Sequence, residues 1–330
     1  MLTFYNEHHT RQGACTTPAP WDEQPDAVAL TLAEFERRGL GRIVTPHGVP
    51  LVSLERVHTP RYLHFLRTAW GVWNALDAST AGKPLLPVLW PPRGAAGEAE
   101  PEDFFARLGL FASDGRTPIT GGTWTAARTG ADCAINAAHA LRVGERASFA
   151  LTRPAGQHAR AEGYGGGCFL NNAALAAQHL LDDGLARVAI LDIARHHGHG
   201  TQDIFYARSE VLFVSIHLDP RQAYPFYAGH AGEQGVGAGL GANMNLPLPA
   251  DCGGGPWFAA LETACVKLAM FRPEALVVSL GGLATGFGLQ GGDFLRIGER
   301  IAHLGLPTTF VFEGGGTGAV SILEGFETAA

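Results

Sequence analysis

Cysteine is scarce in this chain, and what there is cannot staple a fold. The five residues Cys15, Cys133, Cys168, Cys252 and Cys265 form an odd set with no CxxC pair. That excludes a disulfide framework or a zinc ribbon and points to reduced thiols in a cytoplasmic setting. Runs of Lys or Arg are also missing. With 24 basic against 31 acidic residues the net charge is -7, so neither a phosphate backbone nor an anionic membrane is an indicated partner. No segment offers about 18 uninterrupted apolar residues, and Met1 to His9 carries polar residues at once and no apolar stretch of signal-peptide length, which argues against membrane insertion and secretion. Internal repeats are absent as well. The partner left open is a small neutral or cationic ligand.

What the chain does have is the material for a large core. Its 330 residues are 46% hydrophobic, which suits one large α/β domain spanning residues 1–330. The segment Pro91 to Asp103, rich in Pro, Gly, Ala and Glu, reads as an exposed loop inside that domain. Small and apolar residues from Thr123 to Leu141 recur at helical spacing. Four short apolar runs follow, Ala147 to Leu151, Val188 to Leu191, Ala275 to Leu280 and Thr308 to Phe312. Helical stretches at Asn172 to Leu181, Trp257 to Met270 and Phe294 to His303 separate them. This alternation predicts a doubly wound, mostly parallel sheet. Sites in such sheets form at the carboxyl ends of the strands. The loops expected there are RPAGQHARAEGYGGGCFLNN, DIARHHGHGTQ, GGLATGFG and EGGGTG.

These loops, in this order, resemble the histone deacetylase and acetylpolyamine amidohydrolase family, nearest its class II-like bacterial branch. Arg153-Pro154-Ala155-Gly156-Gln157-His158-Ala159 is similar to R-P-P-G-H-H-A, and Gly166-Gly167-Cys168-Phe169-Leu170-Asn171-Asn172 to G-F/Y-C-F-x-N-N. His196-His197-Gly198-His199-Gly200-Thr201-Gln202 is similar to H-H-G-N-G-T-Q, and Ser215-Ile216-His217-Leu218-Asp219-Pro220 and Val278-Ser279-Leu280-Gly281 continue the series. The resemblance implies the three-layer α/β/α arginase/deacetylase fold with a mostly parallel central sheet. It also implies a zinc held by the outer residues of a D-x-H motif and by an Asp after the V-S-L-G strand, with a His pair moving protons and a Tyr stabilising the oxyanion.

The departures from the pattern fall on the chemistry. D-x-H is here Ala194-Arg195-His196, the third ligand position is Leu283, the first histidine of the pair is Gln157, and the tyrosine position is Gly316. Gly167 replaces the ring that walls the substrate tunnel, so the expected cavity is wider. One imidazole cannot retain zinc, and no catalytic cofactor is expected. At the positions of the acidic residues that guard the entrance in the acetylpolyamine enzymes stand Phe105 and Arg116, within a variable segment at about 91–120 that the resemblance places near a homodimer interface. An arginine there repels a polycation.

The resemblance also implies a structural potassium ion held by Asp192 and Ser215 with the carbonyls of Ala194 and His196; the alternative is that Asp192 only braces its own loop by hydrogen bonds. His158 remains, with His199 at the position that normally orients it. A His158–His199 pair would provide general acid and base catalysis without metal; equally, both imidazoles could be structural. Cys168 fits packing better than nucleophilic attack. Tyr224, His230 and Glu313 are candidates for the pocket or its rim, with His230 weighted toward a surface loop and Glu313 toward tying down the glycine turn. Three functions follow from these residues. One is a repurposed metal-independent enzyme of specialised metabolism acting by dehydration, cyclisation or acyl transfer on a small acyl-, amide- or amine-containing molecule. The second is a non-catalytic pseudo-deacetylase that binds a ligand or partner, and the third a residual amidohydrolase with a rearranged metal site.

Overall fold

The computed structural model describes residues 1–12, 26–91, 100–283 and 285–329. Eight strands form one sheet: β1 (Leu2–Phe4), β2 (Arg42–Val44), β3 (Ala147–Ala150), β4 (Val188–Ala194), β5 (Val211–Leu218), β6 (Asn243–Leu248), β7 (Ala275–Gly281) and β8 (Thr308–Phe312). Their order is β2-β1-β3-β8-β7-β4-β5-β6 and every pairing is parallel. The helices are α1 (Ala27–Arg38), α2 (Leu51–Glu55), α3 (Pro60–Leu76), α4 (Phe104–Phe111), α5 (Thr123–Arg142), α6 (Asn172–Asp182), α7 (His199–Phe205), α8 (Gly254–Phe271), α9 (Gly291–Ala302) and α10 (Gly318–Ala329). None is long and apolar enough to cross a membrane among the described residues.

Strand periodicity sorts side chains into two cores. In β4, Val188 and Ile190 pack with α3 to α6, while Ala189, Leu191 and Ile193 pack with α1, α8, α9 and α10. β5 and β7 divide the same way: Val211, Phe213, Ala275 and Val277 face the first core, and Leu212, Val214, Leu276 and Val278 the second. Burial on both faces is why these strands read as unbroken apolar runs rather than alternating ones, and it makes three layers of helix, sheet and helix.

The same period of two carries the polar exceptions. Asp192 is paired in register with Ser215 on one side and Ser279 on the other, and Ser215 with Asn245. A row of polar groups, Ser279, Asp192, Ser215 and Asn245, thus crosses four strands near their carboxyl ends, on the face where Ile190 and Phe213 begin the first core. Buried polar groups are costly unless hydrogen-bonded; Asp192, Ser215 and Asn245 have partners, Ser279 Oγ has none among the described residues, and the row lies under the site.

The expected strands Ala147–Leu151, Val188–Leu191, Ala275–Leu280 and Thr308–Phe312 are β3, β4, β7 and β8, with β4 running on to Ala194. The variable segment at about 91–120 is not loop throughout. Residues 92–99 lie outside the described set, but α4 inserts Phe104, Leu108 and Phe111 into the first core, capped by the Asp103 carboxylate accepting from the Ala106 N–H.

Candidate active site

Four strand-end loops converge above β3, β8, β7 and β4. They enclose a cavity of about 100 Å³ whose lining includes Gln157, His158, Gly166, Gly167, Arg195, His196, Gly281, Gly282 and Glu313. Cys168, Ala194, Tyr224, Leu283 and Gly316, expected as pocket residues, are not part of that lining. Cys168 is fully buried with its thiol 3.6 Å from the Gly166 carbonyl oxygen, a packing position. Leu283 belongs to the second apolar core, where a leucine at a strand end gains more from burial than from facing a polar cavity, and with Gly316 it lines a separate small recess. Tyr224 borders an open groove shared with Arg116, Arg195 and Arg221, and its ring stands edge-on to His158, His196 and His199. His230 is exposed, and Phe105 is half-exposed against Trp73.

His158 and His199 come together. Their Nδ1 atoms are 3.2 Å apart and their rings stack at 4.9 Å. His199 heads α7, brought against His158 because the Gly200 and Thr201 N–H groups both donate to the Gln157 carbonyl. Gly198, just before it, cannot be replaced without displacement: its N–H donates to Asp192 Oδ2 at 2.8 Å, and a Cβ there would meet the same oxygen at 2.5 Å. On its other side His199 Nε2 is 3.1 Å from the hydroxyl of Tyr227, a half-exposed residue whose ring lies 5.8 Å from the Arg160 guanidinium. His158 Nε2 lies 3.5 Å from Gln157 Nε2. Burial, with neighbouring imidazoles adding to it, holds His158 well below the ordinary histidine range; burial, with Arg160 next in weight, pushes His199 down to about 3. Both imidazoles are therefore neutral at pH 7. The two imidazoles are thus in contact as a catalytic pair requires, and both are uncharged.

Glu313 ties down a different turn from the one expected. Its Oε2 accepts from the N–H groups of Gly156 and Gln157, anchoring the RPAGQH loop, while Oε1 has no hydrogen-bond partner among the described residues. Burial raises its carboxyl to about 8. Gln157 Oε1 and Arg195 Nε are likewise without partners, and Arg195 borders both the cavity and the groove. Three polar atoms in want of partners around one cavity mark a place where a polar ligand would be held.

Asp192 sits beneath. Oδ1 accepts from the Ala194 N–H and Oδ2 from the Gly198 N–H, and Oδ2 lies 3.1 Å from Ser215 Oγ. Ser215 Oγ is also 2.8 Å from His217 Nδ1, and His217 Nε2 is 2.8 Å from the Gly229 carbonyl. A carbonyl cannot donate, so His217 carries its proton on Nε2 and takes the serine proton at Nδ1, leaving Ser215 Oγ and Asp192 Oδ2 facing each other as two acceptors. Either a proton on the carboxyl, which burial raises to about 7, or a cation relieves that contact.

The sequence signals no role for Tyr227 or Arg195, which the structure brings to the site. Tyr227 lies in Tyr224-Pro225-Phe226-Tyr227, which has no local pattern, and reaches His199 only through folding.

Comparison with known proteins gives the same assignment. The histone deacetylase domain model matches residues 22–315. Acetylpolyamine amidohydrolase 1 of Pseudomonas aeruginosa is 45% identical, with 100% of each chain covered. The Mycoplana ramosa acetylpolyamine amidohydrolase is 38% identical over 96% of this chain and 94% of its own length. The crystal structure of an acetylpolyamine aminohydrolase from Burkholderia pseudomallei superposes with a TM-score of 0.91 at 36% identity, covering 100% of this chain and 99% of that one. A sheet of eight parallel strands, with glycine- and histidine-rich loops closing over its carboxyl ends, thus places this chain in the histone deacetylase and acetylpolyamine amidohydrolase family.

Proposed function

We propose that this family member no longer carries out zinc-dependent amide hydrolysis and works as a metal-independent acid/base enzyme on a small acyl-, amide- or amine-containing molecule. The observation that carries the reading is the Tyr227–His199–His158 chain, which leads from the hydroxyl of a half-exposed tyrosine to a cavity-lining imidazole. Zinc does not fit the donors beside it. At the end of β4 stand a methyl group, a guanidinium and one imidazole, and Leu283 is packed in apolar surroundings. Zinc sites are built from three or four N, O or S ligands.

The hydrogen-bond chain can pass a proton without becoming charged, which suits imidazoles that burial keeps neutral. In one state His158 Nδ1–H donates to His199 Nδ1, His199 Nε2–H donates to Tyr227 Oη, and His158 Nε2 carries a lone pair. A substrate proton taken by Nε2 shifts the Nδ1 proton to His199, whose Nε2 proton moves to Tyr227 as the phenol releases its own to solvent. One proton enters and one leaves. General base catalysis of this kind contributes about 10²–10⁴-fold, and dehydration, cyclisation and acyl transfer all need it. Arg153 and Arg195 in the cavity wall, with Arg116 on the groove, disfavour a polycation and favour a substrate bearing a carbonyl or carboxylate. At Asp192 and Ser215 we infer a structural potassium ion, with the carbonyls of Ala194 and His196, because two facing acceptors fit a cation.

The relatives' names favour a second reading, an amidohydrolase of acetylated polyamines. Zinc content and turnover of acetylputrescine and acetyl-lysine, before and after zinc supplementation, decide between the two. No turnover, with no zinc lost on replacing His196 by Ala, is expected. Zinc that depends on His196 together with turnover refutes the metal-independent reading.

A further inference from the structure

A second cluster lies at the opposite end of the molecule. Helices α5 and α6 lead directly into β3 and β4, so their carboxyl ends meet at the amino ends of the strands, away from the cavity. There His139, on α5, faces His179 and Asp183, which are four residues apart at the end of α6. His139 Nδ1, His179 Nε2 and Asp183 Oδ2 stand 3.4 Å from one another along all three edges.

That triangle is poor as a hydrogen-bond network and good as a ligand set. N–H···O bonds prefer about 2.9–3.0 Å, and two imidazoles that both donate to one oxygen gain nothing from facing each other. Ligands at about 2.0–2.1 Å from a tetrahedral ion lie about 3.3–3.4 Å apart. Three N and O atoms whose separations match that edge are already spaced to receive one ion, with water as the fourth ligand. Among the described residues this is the one group of three such side chains with ligand atoms within 4.8 Å of one another.

The neighbours support the arrangement. The Arg142 guanidinium donates to the Asp183 carbonyl at 3.0 Å, which holds the end of α6 against α5 while leaving the carboxylate to the imidazoles. Asp182 is engaged by Arg56 and Gln178 and does not compete. His179 is partly buried, and desolvation keeps its ring below the ordinary histidine range, so protons compete weakly for it at neutral pH.

We propose that His139, His179 and Asp183 form a peripheral site for a tetrahedral divalent transition ion of the zinc class, clamping α5 to α6. Two imidazoles and one carboxylate select borderline ions such as Zn(II) or Co(II) over Mg(II) or Ca(II), which take oxygen ligands.

The test is titration of the chelator-treated full-length protein with Co(II), reading the visible d–d absorption of tetrahedral cobalt, followed by displacement with Zn(II). One equivalent of tetrahedral cobalt is expected in the parent protein and in His196→Ala. The signal should be lost in His139→Ala, His179→Ala and Asp183→Asn, whose far-UV circular dichroism should match the parent because His139 is exposed and His179 and Asp183 are only partly buried. Absence of the band in the parent, its survival in His179→Ala, or its loss only in His196→Ala overturns the proposal. The last outcome would place the metal in the cavity and count against the proposed function instead.

Discussion

If His158 and His199 are a neutral pair, His199 must oppose acidification, and the size of the effect can be worked out. Its imidazole titrates at about 3 in the folded protein against 6.5 for a free ring. A histidine lowered on folding contributes stability that is complete above the unfolded value and is lost as pH falls toward the folded one. Between pH 8 and pH 5 the unfolded chain takes up almost one proton at this site and the native protein almost none. At 1.36 kcal/mol per pH unit the loss is about 2 kcal/mol. Asp192 and Glu313 work in the opposite direction: burial raises them to about 7 and about 8, so their contribution is present at low pH and fades as pH rises through those values. The wild-type profile is therefore a partial cancellation, and the informative quantity is a difference. His199→Gln should lose about 2 kcal/mol less than wild type between pH 8 and pH 5, measured by urea unfolding followed by tryptophan fluorescence and circular dichroism, whose coincidence licenses a two-state treatment. Parallel profiles would mean that native His199 takes up its proton over the same pH range as a free imidazole, and a pair held neutral by burial would then be refuted.

Two further outcomes test the neighbours. Glu313→Ala removes the acceptor for two buried N–H groups and should cost about 2–4 kcal/mol, whereas Glu313→Gln keeps one acceptor oxygen and, at a pH where the carboxyl is already largely protonated, should cost under about 1 kcal/mol; equal losses in thermal unfolding would show that the carboxylate charge matters. Replacing tetramethylammonium by potassium at constant ionic strength should raise the melting temperature of wild type and leave Asp192→Asn unmoved, since the amide cannot supply the charge; no difference between the salts in wild type would count against a cation at Asp192.

What the sequence determined by itself is the framework and the addresses on it. Unbroken apolar runs such as Val188–Leu191 and Ala275–Leu280 are legible because a parallel strand buried on both faces must be apolar at every position, and the loops that follow such strands must lie together. The short strands β1 and β2, and β6 with Pro247 and two asparagines, escaped notice because three residues, or a half-polar run, carry no periodicity above background, and the longer, wholly buried β5 escaped as well although Ser215 to Leu218 stood out as a motif. Order along the chain likewise put Gln157, His158, His196 and His199 at one site. It could not say which side chains reach the cavity. Leu283 turns into the apolar core, Gly316 into a neighbouring recess and Cys168 into packing, because a loop residue's direction depends on the turn that carries it and on the space its neighbours leave. Only the tertiary structure brought Tyr227 to His199 and Glu313 to Gly156, and it set His139 against His179 forty residues away. Those contacts join segments far apart in the chain, and it is the burial they impose, which no residue carries in its own sequence, that decides the charge of both imidazoles.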